Sequence, residues 1–135
     1  MIYFDTNILI YATIKQDIIK YNQSNNMIKE AILKDKFCIS PLVFSEYIFT
    51  LSKLKIIEEC SDIINFYEKY IKFCIDENSV LEAYNKCHKF GKCRNINDFI
   101  HLEIANKYCK KLITFDSDFK NLQNNYDVEI EIIRS

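Results

Sequence analysis

Glycine and proline are almost absent from the sequence, with one of each among 135 residues. These two residues are the strongest interruptions of helices and strands, so their scarcity argues against a loop-rich chain and predicts long elements joined by short polar turns. The sequence also lacks internal repeats and linkers, and a chain of this length buries about two-thirds of its unfolded surface. We therefore expect residues 1–135 to form one globular domain that needs no disulfide bond.

An excess of positive charge is also missing, since 18 basic and 19 acidic side chains give a net charge of -1. This balance excludes binding of nucleic acid through an overall basic field and leaves a local patch or bound metal ions as the means of attraction. No apolar run is long enough to span a bilayer, and no stretch resembles a secretory signal. We expect a protein that has no membrane association and works in the cytoplasm.

The six cysteines contain no CxxC pair, which argues against a zinc site or a redox motif. The only grouping with histidine is Cys87, His88 and Cys93, which supplies too few ligands for structural zinc. Reduced thiols are typical of cytosolic proteins. We interpret the cysteines as small buried hydrophobic residues.

Short apolar runs alternate with segments of helical spacing along the chain. The apolar runs predict strands at residues 2–4, 37–39, 73–75, 111–115 and 128–133. Helices are predicted after residues 5–7, over 17–35 with a break at 22–26, from Ser40-Pro41 to 53, over 56–72, over 79–90, and from Asn95 or Asn97 onward. The spacing within 17–35 assigns its buried side to Ile18, Ile19, Met27, Ala31 and Leu33. The alternation predicts an α/β fold with a mainly parallel sheet.

Two aspartates come directly after predicted strands. Asp5 follows the first strand and Asp116 follows the strand at residues 111–115. Because the carboxyl ends of parallel strands share one edge of a sheet, where ligands gather, the two side chains are expected to lie on the same edge. Each has an ordinary alternative, since Asp5 can cap the first helix and Asp116 or Asp118 can stabilise a turn.

Two further carboxylates belong to helices. Glu46 lies within the apolar helix that contains residues 42–49, where an unpaired buried carboxylate is costly and a cation partner would explain it. The alternative is that Glu46 lies on a solvated face of that helix. Asp98 lies in the first turn of its helix, where the helix dipole favours negative charge whatever the function.

Together the four carboxylates predict a metal site that only folding assembles. Several negative charges share a small pocket only when cations offset their repulsion. Oxygen ligands select hard ions, so Mg²⁺ or Mn²⁺ is expected. Such ions activate water and stabilise the charge that develops on phosphate, which indicates phosphodiester hydrolysis.

In four blocks the sequence resembles the PIN-domain nucleases, and in particular the VapC toxins of prokaryotic toxin-antitoxin modules. Each block is short, but the four occur in order and at suitable spacing. The blocks are residues 2–10 around Asp5-Thr6-Asn7, Ser45-Glu46, residues 97–100 with 104–105, and residues 112–119 around Thr114-Phe115-Asp116.

The resemblance implies a three-layer α/β/α domain that cleaves RNA endonucleolytically with Mg²⁺ or Mn²⁺. It further implies the toxin of a type II pair, a homodimer, and a cognate antitoxin as partner. In this family the fourth acid corresponds to Asp116 or Asp118, and Asp116 is nearer to the strand. A DNA nuclease or stand-alone RNA-processing enzyme of the same fold, and a non-catalytic interaction module, are the alternatives.

Other residues are assigned supporting parts. Thr6, Asn7 and Thr114 are expected to hold the carboxylates or a bound water. The basic segment before Asp98 contains Lys92 and Arg94, which are expected to receive RNA phosphates, with a plain solvated loop as the alternative. Four aromatic residues suggest either a groove for a partner helix or core packing: Tyr11, Phe44, Tyr47 and Phe49. His88 and His101 are interpreted as structural or surface residues, although the position of His101, three residues after Asp98, allows a role beside it.

Overall fold

The computed structural model describes residues 1–134, and its central element is a sheet of four parallel strands. The strands are β1 (Ile2–Phe4), β2 (Phe37–Cys38), β3 (Lys111–Thr114) and β4 (Glu129–Ile132). Their order across the sheet is β2-β1-β3-β4, and every pairing is parallel. The predicted parallel sheet is confirmed, while Ser135 of the expected 1–135 domain lies outside the described residues.

The register of β1 and β3 sets the position of the functional residues. Phe4 pairs with Ile113, and the Asp5 N–H continues the ladder by donating to the Ile113 carbonyl at 3.0 Å. Asp5 and Thr114 are therefore neighbours at the carboxyl edge of the sheet. This adjacency follows from two buried apolar strands that end at equivalent positions.

Within the described residues, six α-helices surround the sheet. They are α1 (Thr6–Thr13), α2 (Ile18–Leu33), α3 (Pro41–Lys53), α4 (Ser61–Glu68), α5 (Glu77–Lys89) and α6 (Ile96–Tyr108). Short 3₁₀ segments occur at Glu58–Cys60, Cys93–Asn95 and Ser117–Asn125. None of the helices within residues 1–134 has the length and apolarity required to cross a membrane.

Alternate side chains of β1 contact different helices. Tyr3 points toward α6, where its hydroxyl lies 2.6 Å from His101 Nδ1. Phe4 points to the opposite face and lines a cleft with Met27 and Ala31 of α2. Because successive residues of a strand face opposite sides, α2 and α6 cover the two faces of the sheet. The predicted three-layer α/β/α arrangement is therefore confirmed.

The predicted break in the helix over residues 17–35 is wrong, because α2 is continuous from Ile18 to Leu33. Asparagine disfavours helix interiors by competing for backbone groups, but Asn25 donates its amide to the carbonyls of Ala12 in α1 and Tyr21 in α2. This tertiary contact supports the helix where local propensity is weak.

The predicted buried side of α2 is also partly wrong. Ala31 is buried as expected and Met27 is partly buried, but the other three predicted residues are exposed: Ile18, Ile19 and Leu33. The side that faces the core instead contains Ser24, Ile28 and Ala31. These positions are spaced by four and three residues, as one helix face requires.

No strand forms at residues 73–75, contrary to the prediction. The chain here forms instead an isolated parallel bridge between Ile71 and Ile39, the residue after β2. Phe73 has a φ of 71°, which is incompatible with a strand, and its ring stacks on Tyr108 with centroids 4.4 Å apart. The helix predicted over 56–72 is likewise shorter, since a 3₁₀ turn precedes α4.

Burial of the cysteines is mixed. Cys38, Cys60 and Cys87 are buried, as predicted, and Cys109 is half-buried. The expectation is wrong for Cys74 and Cys93, which are exposed.

Candidate active site

An open cavity of about 470 Å³ lies at the carboxyl edge of the sheet. Four carboxylates from different parts of the chain line it: Asp5, Glu46, Asp98 and Asp116. Asp5 follows β1, Glu46 belongs to α3, Asp98 to the first turn of α6, and Asp116 follows β3. The structure thus brings together all four acids that the sequence singled out.

Asp5 is both a helix cap and part of the cavity, so the two interpretations of this residue are compatible. Its Oδ1 accepts the Thr6 N–H at 2.8 Å at the start of α1. Its Oδ2 accepts the Thr114 hydroxyl at 2.7 Å and the Asn7 amide at 3.3 Å. The carboxylate is only 6% exposed and is held in one orientation by these donors.

Thr114 and Asn7 connect the ends of β1 and β3. The Thr114 hydroxyl oxygen accepts the backbone N–H of Asp116 at 3.0 Å and the Asn7 amide at 3.1 Å. Asn7 Oδ1 in turn accepts the Phe115 N–H at 3.2 Å. The turn that presents Asp116 is therefore fastened to the turn that presents Asp5.

The position of Asp118 differs from that of Asp116. Asp116 lines the cavity, whereas Asp118 is exposed and is not among the cavity residues. The Asp116 carboxylate accepts the Asp118 N–H at 2.9 Å and so also starts the 3₁₀ segment that follows. This geometry favours Asp116 as the fourth acid.

Glu46 is surrounded by hydrogen-bond donors. Its Oε1 accepts from the Thr6 hydroxyl and lies 2.6 Å from His101 Nε2, while its Oε2 accepts the Asn97 amide at 3.1 Å. Burial raises the pKa of Glu46, but His101, Thr6 and Asn97 lower it by more, so that the pKa lies below its ordinary value. Glu46 therefore stays ionised within an apolar helix.

His101 is the cavity residue that the sequence interpretation underrated. It is 1% exposed and lies 3.8 Å from Asp5 Oδ1 in addition to its contact with Glu46. Burial lowers the pKa of His101, but the hydrogen bond to Glu46 and the negative charge of Asp5 and Glu46 raise it by more, with a net rise. Its spacing of three residues from Asp98 on one helix face was the available signal.

Two aspartates of the cavity, Asp5 and Asp98, have pKa values shifted in the direction opposite to that of Glu46. Burial is the main cause that raises the pKa of Asp5, only partly offset by His101 and Thr114. Burial and then the charge of Asp5 raise the pKa of Asp98 to about 7. The protein alone does not neutralise these carboxylates.

The donor set fits a hard divalent cation. One ligand atom each from Asp5, Glu46 and His101 lie within 4.8 Å of one another, and this is the only such cluster among residues 1–134. Carboxylate oxygens predominate in the cavity, which favours Mg²⁺ or Mn²⁺ over softer ions. The pKa of Asp98 is raised first by burial and then by the charge of Asp5, and a nearby dication would favour the charged form of this carboxylate.

The predicted basic and aromatic residues are placed less uniformly. Lys92 and Arg94 are exposed, precede α6, and do not line the cavity. Tyr47 is completely buried in the core, and Phe44 is half-buried against it. Tyr11 and Phe49 line the cavity beside the carboxylates.

Comparison with protein families matches residues 2–125 to the family described as PIN domain. The chain belongs to the PIN-domain family, whose members are nucleases. Among solved structures, a chain in the crystal structure of VapBC2 from Rickettsia felis bound to a DNA fragment from their promoter is similar in fold, with a TM-score of 0.71. The two chains are 22% identical over 99% of this chain and 100% of the other. Comparison with curated protein sequences gives no match.

Proposed function

We propose that the protein is a metal-dependent endoribonuclease and the VapC-type toxin of a type II toxin-antitoxin pair. The observation that carries the proposal is the convergence of four carboxylates, from two strand ends and two helices, on one open cavity of a PIN-family chain. A single nuclease domain spanning residues 1–135 and a cytoplasmic location belong to the same proposal.

In this proposal Asp5, Asp98 and Asp116 hold one or two Mg²⁺ or Mn²⁺ ions, directly or through water. When bound, such ions lower the pKa of water and stabilise the charge that develops on the scissile phosphate. Glu46, kept ionised by its donors, completes the site and orients the attacking water. Three neighbouring side chains orient the acids through hydrogen bonds. Thr6 binds Glu46, whereas Asn7 and Thr114 bind Asp5.

The proposed partners are RNA, a cognate antitoxin and a second copy of the chain. The exposed Lys92 and Arg94 supply positive charge just before the helix that carries Asp98, as RNA phosphates require. The aromatic side chains of Tyr11 and Phe49 on the cavity wall offer a contact surface to an antitoxin segment that covers the carboxylates. The similar solved structure contains a VapBC2 complex, which supports an antitoxin partner.

Cleavage assays on three substrates test the function. The purified protein is incubated with labelled RNA, single-stranded DNA and a phosphate monoester, each in Mn²⁺ and in EDTA. We expect cuts within RNA that require Mn²⁺ and are lost in the Asp5→Asn and Asp98→Asn variants. Asp62→Asn, the same exchange at an exposed site on α4, is the matched control and should cleave as the parent does.

Three outcomes would contradict the proposal. RNA cleavage that persists in EDTA would remove the metal from the mechanism. Preferential cleavage of DNA or of the monoester would replace the substrate class. Parent-level cleavage by both Asp5→Asn and Asp98→Asn would show that the cavity is not the active site.

A further inference from the structure

We propose that Tyr3 and His101 are positioning residues that fix the Glu46 carboxylate for metal binding, an inference that rests on the proposed function. Three buried side chains form a continuous series of hydrogen bonds that ends at Glu46. They are Ser40 at the start of α3, Tyr3 in β1 and His101 in α6, and none is more than 1% exposed. A fully buried polar chain of this length is costly to assemble unless every group is paired.

The distances in the chain are short throughout. The Ser40 hydroxyl accepts the Val43 N–H at 3.1 Å and lies 2.7 Å from the Tyr3 hydroxyl. The Tyr3 hydroxyl lies 2.6 Å from His101 Nδ1, and His101 Nε2 lies 2.6 Å from Glu46 Oε1. The imidazole ring is therefore held at both nitrogens.

The contacts of Glu46 fix the direction of the last link. Both of its oxygens act as acceptors, Oε1 toward the Thr6 hydroxyl and Oε2 toward the Asn97 amide, so His101 Nε2 carries a hydrogen and donates it to Oε1. In the neutral ring, Ser40 donates to Tyr3 and Tyr3 donates to Nδ1, and every group is paired. In the charged ring Nδ1 donates to Tyr3 instead. The link to Glu46 is the same in both forms, so positioning does not depend on the charge of His101.

One oxygen of Glu46 can still accept a further interaction. Each carboxylate oxygen accepts about two hydrogen bonds. Oε1 already accepts from both Thr6 and His101, whereas Oε2 accepts only from Asn97. One acceptor position on Oε2 is left for a cation or a metal-bound water. Without His101 the long Glu46 side chain would regain rotamer freedom and this position would no longer be fixed.

His101 itself is poorly suited to be a metal ligand, although its Nε2 lies close to the carboxylates. A ligating imidazole nitrogen must offer a lone pair. Nε2 instead directs a hydrogen at Glu46, and Nδ1 is occupied by Tyr3. Its effect on a bound ion is therefore expected to pass through Glu46.

Calorimetric titration with Mn²⁺ alone, together with RNA kinetics, tests the assignment. His101→Leu removes both hydrogen bonds and should weaken Mn²⁺ binding by about 10- to 100-fold, as is typical of groups that orient metal ligands. His101→Gln keeps an N–H near the position of Nε2 and should recover part of the affinity. Tyr3→Phe frees one end of the ring and should give a smaller loss than His101→Leu. At saturating Mn²⁺, kcat should stay low in His101→Leu while KM for RNA is unchanged.

A double-mutant cycle separates positioning from direct ligation. If His101 acts through Glu46, then adding His101→Leu to Glu46→Gln should change the Mn²⁺ affinity less than twofold. Asp76→Ala is the matched control for lost stability, because it removes the cap of α5 and an ion pair with Lys107 at the far end of α6. Circular dichroism and urea unfolding check that all variants fold.

The outcomes distinguish this inference from the proposed function. Full loss of affinity by His101→Leu in the Glu46→Gln background would overturn positioning through Glu46. So would parent-level affinity in His101→Leu, or an equal loss in Asp76→Ala. A parent protein that neither binds Mn²⁺ nor cuts RNA would instead overturn the proposed function.

Discussion

Replacing Asp98 by asparagine is expected to stabilise the protein in the absence of a divalent cation and to lose this advantage in its presence. Burial and the charge of Asp5 raise the pKa of Asp98 to about 7. Asparagine keeps the shape of the side chain and removes its charge. In EDTA at pH 8 the exchange therefore removes an unfavourable charge from the cavity, whereas in Mn²⁺ it removes a proposed ligand.

The magnitude follows from the two pKa values. The difference between 3.8, the ordinary value, and about 7 corresponds to about 4 kcal/mol. Because Asp98 is only partly buried, solvent screening reduces this to about 2 kcal/mol. A raised folded-state pKa favours folding below the unfolded pKa, and this contribution is lost as the pH rises through the folded pKa. The gain in the free energy of unfolding from Asp98→Asn should thus grow from about pH 4 to about pH 7 and then stay constant.

Urea unfolding followed by circular dichroism measures the effect. In EDTA, Asp98→Asn should exceed the parent by about 2 kcal/mol at pH 8 and by less than half of that at pH 5. Adding Mn²⁺ at about 100 times Kd should stabilise the parent by about 2.7 kcal/mol and the variant by much less. The exposed Asp62→Asn exchange should have little effect in any condition. An Asp98→Asn variant that is no more stable than the parent in EDTA at pH 8 would refute the conclusion that a charge at Asp98 is unfavourable in the metal-free cavity.

Three further perturbations probe the cavity, a helix start and the basic segment. Thr114→Val removes the hydroxyl that binds Asp5 and should weaken Mn²⁺ binding by about 10-fold or more in calorimetry, and unchanged affinity would exclude its supporting part. Ser40→Ala removes the cap of α3 and should lower the free energy of unfolding by about 1 kcal/mol in urea, with no change contradicting the cap. Exchange of both Lys92 and Arg94 for alanine should weaken RNA binding in EDTA and reduce its salt slope by about 2, and an unaltered slope would place RNA elsewhere.

The sequence was sufficient for the four strands that form the sheet and for the cavity position of the aspartates that follow two of them, because both depend on local signals. Asp5 directly follows the apolar strand β1, and Asp116 follows β3 after one residue, so parallel pairing puts the two acids on one edge of the sheet. The start of α3 was equally readable, since Ser40 caps the helix and Pro41 takes its first position. These features need no knowledge of distant contacts.

The errors occurred where distant contacts decide local structure. α2 continues through its asparagines because Asn25 binds a carbonyl of α1, which no local pattern reveals. Phe73 leaves the strand conformation and stacks on Tyr108, which is 35 residues further along the chain. His101 contacts Tyr3 and Glu46, which are distant in the sequence, whereas its spacing on α6 indicated only that it lies near Asp98.

The protein shifts the pKa values of the cavity acids in different directions. Glu46 receives hydrogen bonds from three side chains and has a lowered pKa, so its charge persists without metal. Asp5 and Asp98 have raised pKa values chiefly because burial disfavours their charged forms, and the charge of Asp5 adds to the rise at Asp98. Opposite shifts within one cavity are typical of groups with separate roles. Protons should therefore compete with the cation chiefly at Asp98, so that Mn²⁺ affinity falls as the pH drops below about 7, while Glu46 stays ionised.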